Sequence, residues 1–162
     1  MLTNHPYAIS YLFTALKAAP ELFENLLQGL TPEEADYRHD PRRFTIREIT
    51  AHLADWDEIF LERLKRVRDE DNPTIDDIDE GERAQQQNYA ITDPRQQLAL
   101  FRQRRARLVG YLRELETRDW SRACLRPEIG STNMEEMALI IPLHNTYHLL
   151  QVTEWLAAAR KA

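Results

Sequence analysis

The chain has 162 residues, of which 43% are hydrophobic and 30% charged, and its formal net charge is −6. This length and balance predict one domain with a hydrophobic core over residues 1–162. The negative charge would repel nucleic acid and anionic membranes, so neither is an expected partner. With a single cysteine no internal disulfide can form, and no apolar run approaches the ~20 residues of a membrane span. We therefore expect a soluble, cytoplasmic protein.

Glycine is scarce, and apolar residues recur at helical spacing in four long segments. The first segment covers about residues 6–29, and Pro20 inside it is expected to kink the helix or split it in two. The second begins at Thr45, which has the capping-box spacing with Glu48. Its apolar stripe then continues to Val67. Both segments predict long amphipathic helices.

Two further helices are predicted in the second half of the chain. Asp93 is placed to cap the third, with Pro94 at the first helical position. The fourth is expected to begin with a capping box formed by Thr132 and Glu135. Pro142 should bend this last helix, which runs to the C-terminus.

A long linker, residues 69–92, separates the second and third helices and is expected to be helical near residues 82–89. At up to about 3.3 Å per residue, it can span the roughly 34 Å length of the second helix. The two helices can therefore run parallel rather than as a hairpin. The predicted fold class is all-α, a four-helix bundle with a long crossover between helices 2 and 3.

Three histidines interrupt the apolar stripes. His144 and His148 lie four residues apart on the fourth helix, and His52 lies on the stripe of the second. Residues at this spacing share a helix face, so both imidazoles can reach one ion, and a third from a facing helix leaves positions open for water or substrate. Imidazole suits zinc, nickel, iron or copper. The alternative is three hydrogen-bonded core histidines without metal; His5 and His39 are expected on the surface.

Other metal motifs are excluded, and candidates for orienting the imidazoles lie nearby. The segment HNTYH lacks the Glu of a zinc-protease helix, and the chain has no Glu-x-x-His of a di-iron bundle. Gln151 lies one turn beyond His148, and Asp55 and Glu58 follow His52 along the second helix. Any of the three could orient a ligating imidazole, although the two acids could equally form a solvated helix face.

The segments FTIREITAHLADWDEIF and HNTYHLLQVTEWL resemble the DinB/YfiT-like family. The resemblance implies an up-down-down-up bundle with His52, His144 and His148 as ligands of a divalent metal ion, such as zinc, nickel or iron. Members of known chemistry include thiol-dependent S-transferases and isomerases and a metal-dependent hydrolase. A low-molecular-weight thiol is therefore a further candidate cofactor. The resemblance maps no additional catalytic residue onto this chain.

Two classes of function follow. The first is a metal-dependent thiol S-transferase or hydrolase acting on a small molecule, with thiol transfer favoured by the resemblance. The second is a non-catalytic module, which either binds or senses metal or is a structural bundle without an ion. Apolar positions left on the outer faces of the helices would suit a homodimer.

Overall fold

A computed structural model describes His5 and residues 7–161 of the chain. Within these residues, four long helices form the body of the fold. Two short α-helices, two 3₁₀ turns (Tyr89–Ile91 and Asp119–Ser121) and one antiparallel hairpin lie in the connections. The all-α prediction is therefore confirmed, with the hairpin as a small addition. The elements are α1 (Ala8–Leu26), α2 (Pro32–Asp36), α3 (Ile46–Asp69), α4 (Glu80–Gln86), α5 (Pro94–Arg113), β1 (Ala123–Arg126), β2 (Gly130–Asn133) and α6 (Met134–Ala159).

Contacting residue pairs give the directions of the four long helices. Along α3 and α5 the residue numbers of the pairs rise together, whereas along α1 and α5, and along α3 and α6, they run in opposite directions. The order is therefore up-down-down-up, as predicted, and the linker that contains α4 is the crossover. The pairs are Ala54–Arg104 and Leu64–Tyr111 for α3 and α5, Glu24–Arg102 and Phe13–Arg113 for α1 and α5, and Phe44–Trp155 and Phe60–His144 for α3 and α6.

The starts of α3 and α5 follow the predicted caps. The Thr45 hydroxyl accepts from the Glu48 amide at 3.2 Å, and the Glu48 carboxylate accepts from the Thr45 amide at 2.8 Å, which is a complete capping box. The Asp93 carboxylate accepts two backbone amides of the first turn of α5, where Pro94 lacks an amide to satisfy. These caps set where the two parallel helices begin.

The predicted cap of the last helix is wrong by one residue. Asn133, not Thr132, caps α6: its side-chain oxygen accepts from the Glu136 amide at 2.9 Å. Thr132 lies in β2 opposite Cys124, so its backbone is still paired in the hairpin where a cap was expected. Its hydroxyl donates to the Glu136 carboxylate instead of binding the amide of Glu135.

Pro20 lies inside α1 without splitting it. Because proline has no amide hydrogen, the carbonyl of Leu16, four residues earlier, loses its helical donor. The guanidinium of Arg105 on α5 donates to this carbonyl at 2.9 Å. A side chain from a neighbouring helix therefore satisfies the acceptor that Pro20 leaves open.

The same guanidinium forms a buried ion pair between the two parallel helices. Arg105 donates to both carboxylate oxygens of Asp57, at 2.7 and 2.8 Å, and the two side chains are only 2% and 1% exposed. The three hydrogen bonds of Arg105 therefore link α1, α3 and α5 at one level of the bundle. The charges are compensated by each other and by the carbonyl of Leu16.

The predicted stripe of α3 faces the core along its whole length. Phe60 and Leu64 lie in one apolar cluster with α1, α5 and α6, and Ile49 and Leu53 lie in a second cluster nearer the start of the helix. The buried stripe residues are Ile49, Leu53, Trp56, Phe60, Leu64 and Val67.

No helix in the described part of the chain is long and apolar enough to cross a membrane.

Replacing Arg105 by Met is expected to destabilise the protein by about 3–5 kcal/mol, because the Asp57 carboxylate would stay buried without its cation. Arg66→Met is the matched control, since Arg66 and its partner Glu70 are 40% and 46% exposed. Its expected cost is about 0–1 kcal/mol. Denaturant unfolding measures both. A similar loss in the two variants would contradict the structural role of the buried pair, and Asp57→Leu added to Arg105→Met should restore part of the loss.

Candidate metal centre

The structure brings His52, His144 and His148 together between α3 and α6. The Nε2 atom of His144 lies 2.9 Å from that of His52 and 3.1 Å from that of His148. One ring nitrogen from each of the three residues lies within 4.8 Å of the others. The antiparallel packing of α3 on α6 places His52 opposite the helical turn that carries the other two. In the described part of the chain, no fourth His, Cys, Asp or Glu joins this cluster.

Aromatic rings enclose the three imidazoles. The ring centroids of Phe44 and Trp56 lie 5.2 and 4.4 Å from that of His52, and the ring of Phe60 lies 5.7 Å from that of His144. His52 is fully buried, whereas His144 retains partial solvent exposure. The centre is therefore shielded on the α3 side and is most accessible at His144.

This environment keeps the imidazoles neutral. Burial lowers the pKa of His144 to about 3 and that of His148 to about 4, against an ordinary value of 6.5. Burial, with the neighbouring imidazoles, also lowers the pKa of His52 well below its ordinary value. Neutral imidazole is the form that offers a lone pair to a metal ion. All three rings are therefore in the ligating protonation state at neutral pH.

Gln151 fixes the tautomer of His148. The Gln151 side-chain nitrogen donates to the carbonyl of Phe44 at 3.1 Å, so its oxygen faces His148 Nδ1 at 3.2 Å as an acceptor. The proton of His148 therefore lies on Nδ1, and the lone pair of Nε2 points into the cluster. Of the three residues predicted to orient an imidazole, Gln151 is the one that the structure brings to the histidines.

Asp55 and Glu58 have other partners. The Asp55 carboxylate accepts two bonds from Arg83 of α4, at 2.6 and 2.8 Å, and one from the Tyr89 hydroxyl at 2.7 Å. Burial raises its pKa, but the bonds from Arg83 and Tyr89 outweigh that effect and lower the pKa below its ordinary value. Glu58 pairs with Arg107 at the surface. Among the hydrogen bonds of the described residues, neither carboxylate reaches an imidazole.

Two contributors to the centre were not anticipated from the sequence. Phe44 supplies both a ring against His52 and the carbonyl that holds Gln151. Tyr89 follows α4, and its ring lies 6.3 Å from that of His52 while its hydroxyl binds Asp55. Phe44 could have been noticed in the sequence as the aromatic residue directly before the predicted cap, Thr45. Nothing in the linker sequence indicates that Tyr89 folds back onto α3.

The donor set fits a divalent metal ion. Two nitrogens that each lie about 2.0–2.1 Å from one ion are roughly 2.9–3.4 Å apart at bond angles of about 90–109°. The separations of 2.9 and 3.1 Å from His144 to the other two Nε2 atoms lie in this range. The buried Nδ1 atoms of His52 and His144 have no hydrogen-bond partner among the described residues, so the outer nitrogens do not hold these two rings in place.

Comparison with known proteins agrees with this arrangement. Residues 15–152 match the model of the DinB superfamily. A protein of Oceanobacillus iheyensis provisionally named as a metal-dependent hydrolase is 31% identical over 134 residues, which cover 83% of this chain and 77% of the relative. YfiT of Bacillus subtilis carries the same provisional name and is 25% identical over 140 residues, or 86% of this chain and 79% of YfiT.

The solved structure of YfiT from Bacillus subtilis has the same fold. It superposes with a TM-score of 0.86 at 22% identity, over 93% of this chain and 86% of that chain, and is described as a four-helix bundle of unusual topology. The up-down-down-up order and long crossover agree with that description. Since the family model covers most of the chain and one relative exceeds 30% identity, this protein belongs to the DinB superfamily.

Proposed function

We propose that the protein binds one divalent metal ion through His52, His144 and His148 and hydrolyses a small molecule at that ion. The observation that carries the proposal is the convergence of three Nε2 atoms from two antiparallel helices. Such a cluster is costly to bury, because the Nδ1 atoms of His52 and His144 have no hydrogen-bond partner among the described residues. An ion would satisfy all three lone pairs at once, and imidazole donors suit zinc, nickel or iron.

A purely structural role for the histidines is less well supported. Core histidines are ordinarily satisfied by hydrogen bonds through their ring nitrogens. Here only His148 has such a partner on its outer nitrogen, and that bond from Nδ1 to Gln151 turns its Nε2 lone pair inward. The outer nitrogens of His52 and His144 are buried and have no partner in the described part of the chain. This pattern favours ligands over core filling.

A catalytic role is favoured over storage or sensing by the number of donors. Three protein ligands leave coordination positions open, whereas closed structural sites supply four. When bound at such a centre, a divalent ion acts as a Lewis acid and lowers the pKa of coordinated water. The chain's own residues hold the donors in place: Gln151 orients His148, and the rings of Phe44 and Trp56 exclude water from the His52 side. Substrate access is expected at partly exposed His144.

Hydrolysis is proposed ahead of thiol transfer. Both curated relatives are provisionally named as metal-dependent hydrolases. Hydrolysis also needs no second cofactor, whereas thiol transfer requires a low-molecular-weight thiol. Thiol transfer, the reaction expected from the family resemblance, is tested in the same experiments as hydrolysis.

Protein purified without a histidine tag is expected to contain about one divalent ion per chain, measured by elemental analysis. His144→Ala and His148→Ala should each lose it, because two imidazoles do not hold an ion as three do. Gln151→Ala should retain the site with affinity reduced about 10–100-fold, as expected for a residue that orients a ligand. His5→Ala, an exposed histidine outside the cluster, is the control. Unchanged metal in His144→Ala would contradict the assignment.

The metal-loaded protein is expected to hydrolyse at least one ester or amide in a panel of chromogenic substrates. Removing the ion with a chelator should abolish turnover, and adding it back should restore it, since the centre supplies the Lewis acid. His144→Ala should be inactive and His5→Ala unaffected. If the protein holds stoichiometric metal but turns over substrate only when a thiol is added, the reaction is thiol transfer rather than hydrolysis. If no turnover is seen with or without a thiol, the result favours a non-catalytic module.

A further inference from the structure

A cleft of about 480 Å³ lies between the segment before α3 and the segment that contains α4. Three arginines line it, Arg38, Arg42 and Arg43, together with Phe44. The Phe44 ring also contacts His52, with the centroids 5.2 Å apart. A cluster of positive groups therefore lies one aromatic ring away from the imidazoles, on a chain whose net charge is −6.

Two of these arginines are already occupied. Arg38 donates to the Glu48 carboxylate at 2.6 Å and to the carbonyl of Arg43 at 2.8 Å. Arg42 makes a two-pronged pair with Asp40, at 3.1 and 3.2 Å. Their charges are compensated locally, so neither is available to a ligand without breaking an existing ion pair.

The guanidinium of Arg43 is only weakly paired. Its closest anionic partner is Glu154, at 3.4 Å from one terminal nitrogen, which is a long contact for an ion pair. Its Nε is buried and has no hydrogen-bond partner among the described residues. A guanidinium carries five N–H groups in a planar fork that matches a carboxylate. In Arg43, Nε makes no hydrogen bond and one terminal nitrogen makes a single long contact.

The Arg43 side chain is nevertheless held in position. Its guanidinium carbon lies 4.6 Å from the ring centroid of Trp155 and 5.6 Å from that of Tyr147. The next peptide carbonyl, that of Phe44, accepts from Gln151 and Trp155 of α6. Stacking on aromatic rings and a fixed backbone reduce the conformational entropy that a ligand would otherwise have to remove.

Arg43 and the histidine cluster contact the same aromatic ring. The ring of Tyr147, against which it stacks, lies 5.0 Å from the ring of His148. Because Arg43 and His148 contact the same ring, a small molecule that extends along Tyr147 would lie close to both the guanidinium and the imidazole.

We infer that Arg43 binds a carboxylate group of the substrate while the group to be hydrolysed lies at the three histidines. The substrate class is then a small ester or amide that carries a carboxylate. This inference rests on the proposed function, because it assigns the substrate of that same site. Glu154 is the group that the substrate carboxylate would displace from the guanidinium.

The test compares two esters of similar length on the metal-loaded full chain: the mono-4-nitrophenyl ester of glutaric acid and neutral 4-nitrophenyl valerate. Arg43→Gln should lower kcat/KM for the anionic ester by about tenfold or more, mainly through KM, because a charge-assisted hydrogen bond is lost. The neutral ester should change less than about twofold. Arg43→Lys should recover part of the loss. Arg42→Gln is the matched control, since Arg42 lines the same cleft but is bound to Asp40.

An equal loss for both esters in Arg43→Gln would overturn the inference, as would a wild-type protein that does not prefer the anionic ester. A second readout does not need turnover. Titration calorimetry with glutarate should show binding to wild type and to Arg42→Gln, and binding weakened about tenfold or more in Arg43→Gln at equal metal content. If neither ester is hydrolysed, the proposed reaction fails, while glutarate binding still decides the role of Arg43; equal binding in all variants refutes it.

Discussion

The carbonyl of Phe44 is the contact on which the placement of the site depends. It accepts from the side chains of Gln151 and Trp155, at 3.1 and 2.9 Å, and so ties the start of α3 to the last turns of α6. A carbonyl has two lone pairs, so both bonds can be good at once. The contact fixes how far the two antiparallel helices slide past each other, and therefore which residues face each other along them. His52 meets His148 because this register holds. The Gln151 amide that sets the register also sets the tautomer of His148.

Burying the three histidines costs free energy, which the packing of the rest of the bundle must offset. Three imidazoles are removed from water, and two outer nitrogens are left without partners in the described part of the chain. Unpaired buried polar groups weaken a fold whose net stability is only about 5–15 kcal/mol. Another polar position in the core has no such deficit. There, Arg105 compensates Asp57 and also supplies the donor that Pro20 withholds from α1. The buried charges of Arg105 and Asp57 are therefore paired, whereas the outer nitrogens of His52 and His144 have no partner among the described residues.

Helical periodicity was enough to predict the four long helices, their inward faces and the three histidines, because each of these features is local or repeats along one helix. The up-down-down-up order followed from linker length, together with the family resemblance. Pairings between distant segments were not accessible in this way. Asp55 and Glu58 have reasonable spacing from His52, yet arginines from α4 and α5 bind them. Which cation reaches a carboxylate depends on how the linker folds back, and side-chain periodicity carries no information about that. The start of α6 was misplaced for a similar reason, since the hairpin partner of Thr132 lies eight residues earlier, at Cys124.

Arginine has two different roles in this protein, and the partners of each side chain decide which one. Arg105 is 2% exposed and is hydrogen-bonded to Asp57 and to a backbone carbonyl, so its guanidinium stabilises the packing of helices and is not exposed to bind a ligand. Arg43 is 30% exposed, is stacked on aromatic rings and has one long contact with a half-exposed carboxylate. A cation compensated so weakly keeps an attractive field in its neighbourhood, and low-dielectric aromatic walls strengthen that field. Because the overall charge of the chain repels anions, a carboxylate reaching the histidines would be selected by this one local contact rather than by long-range attraction.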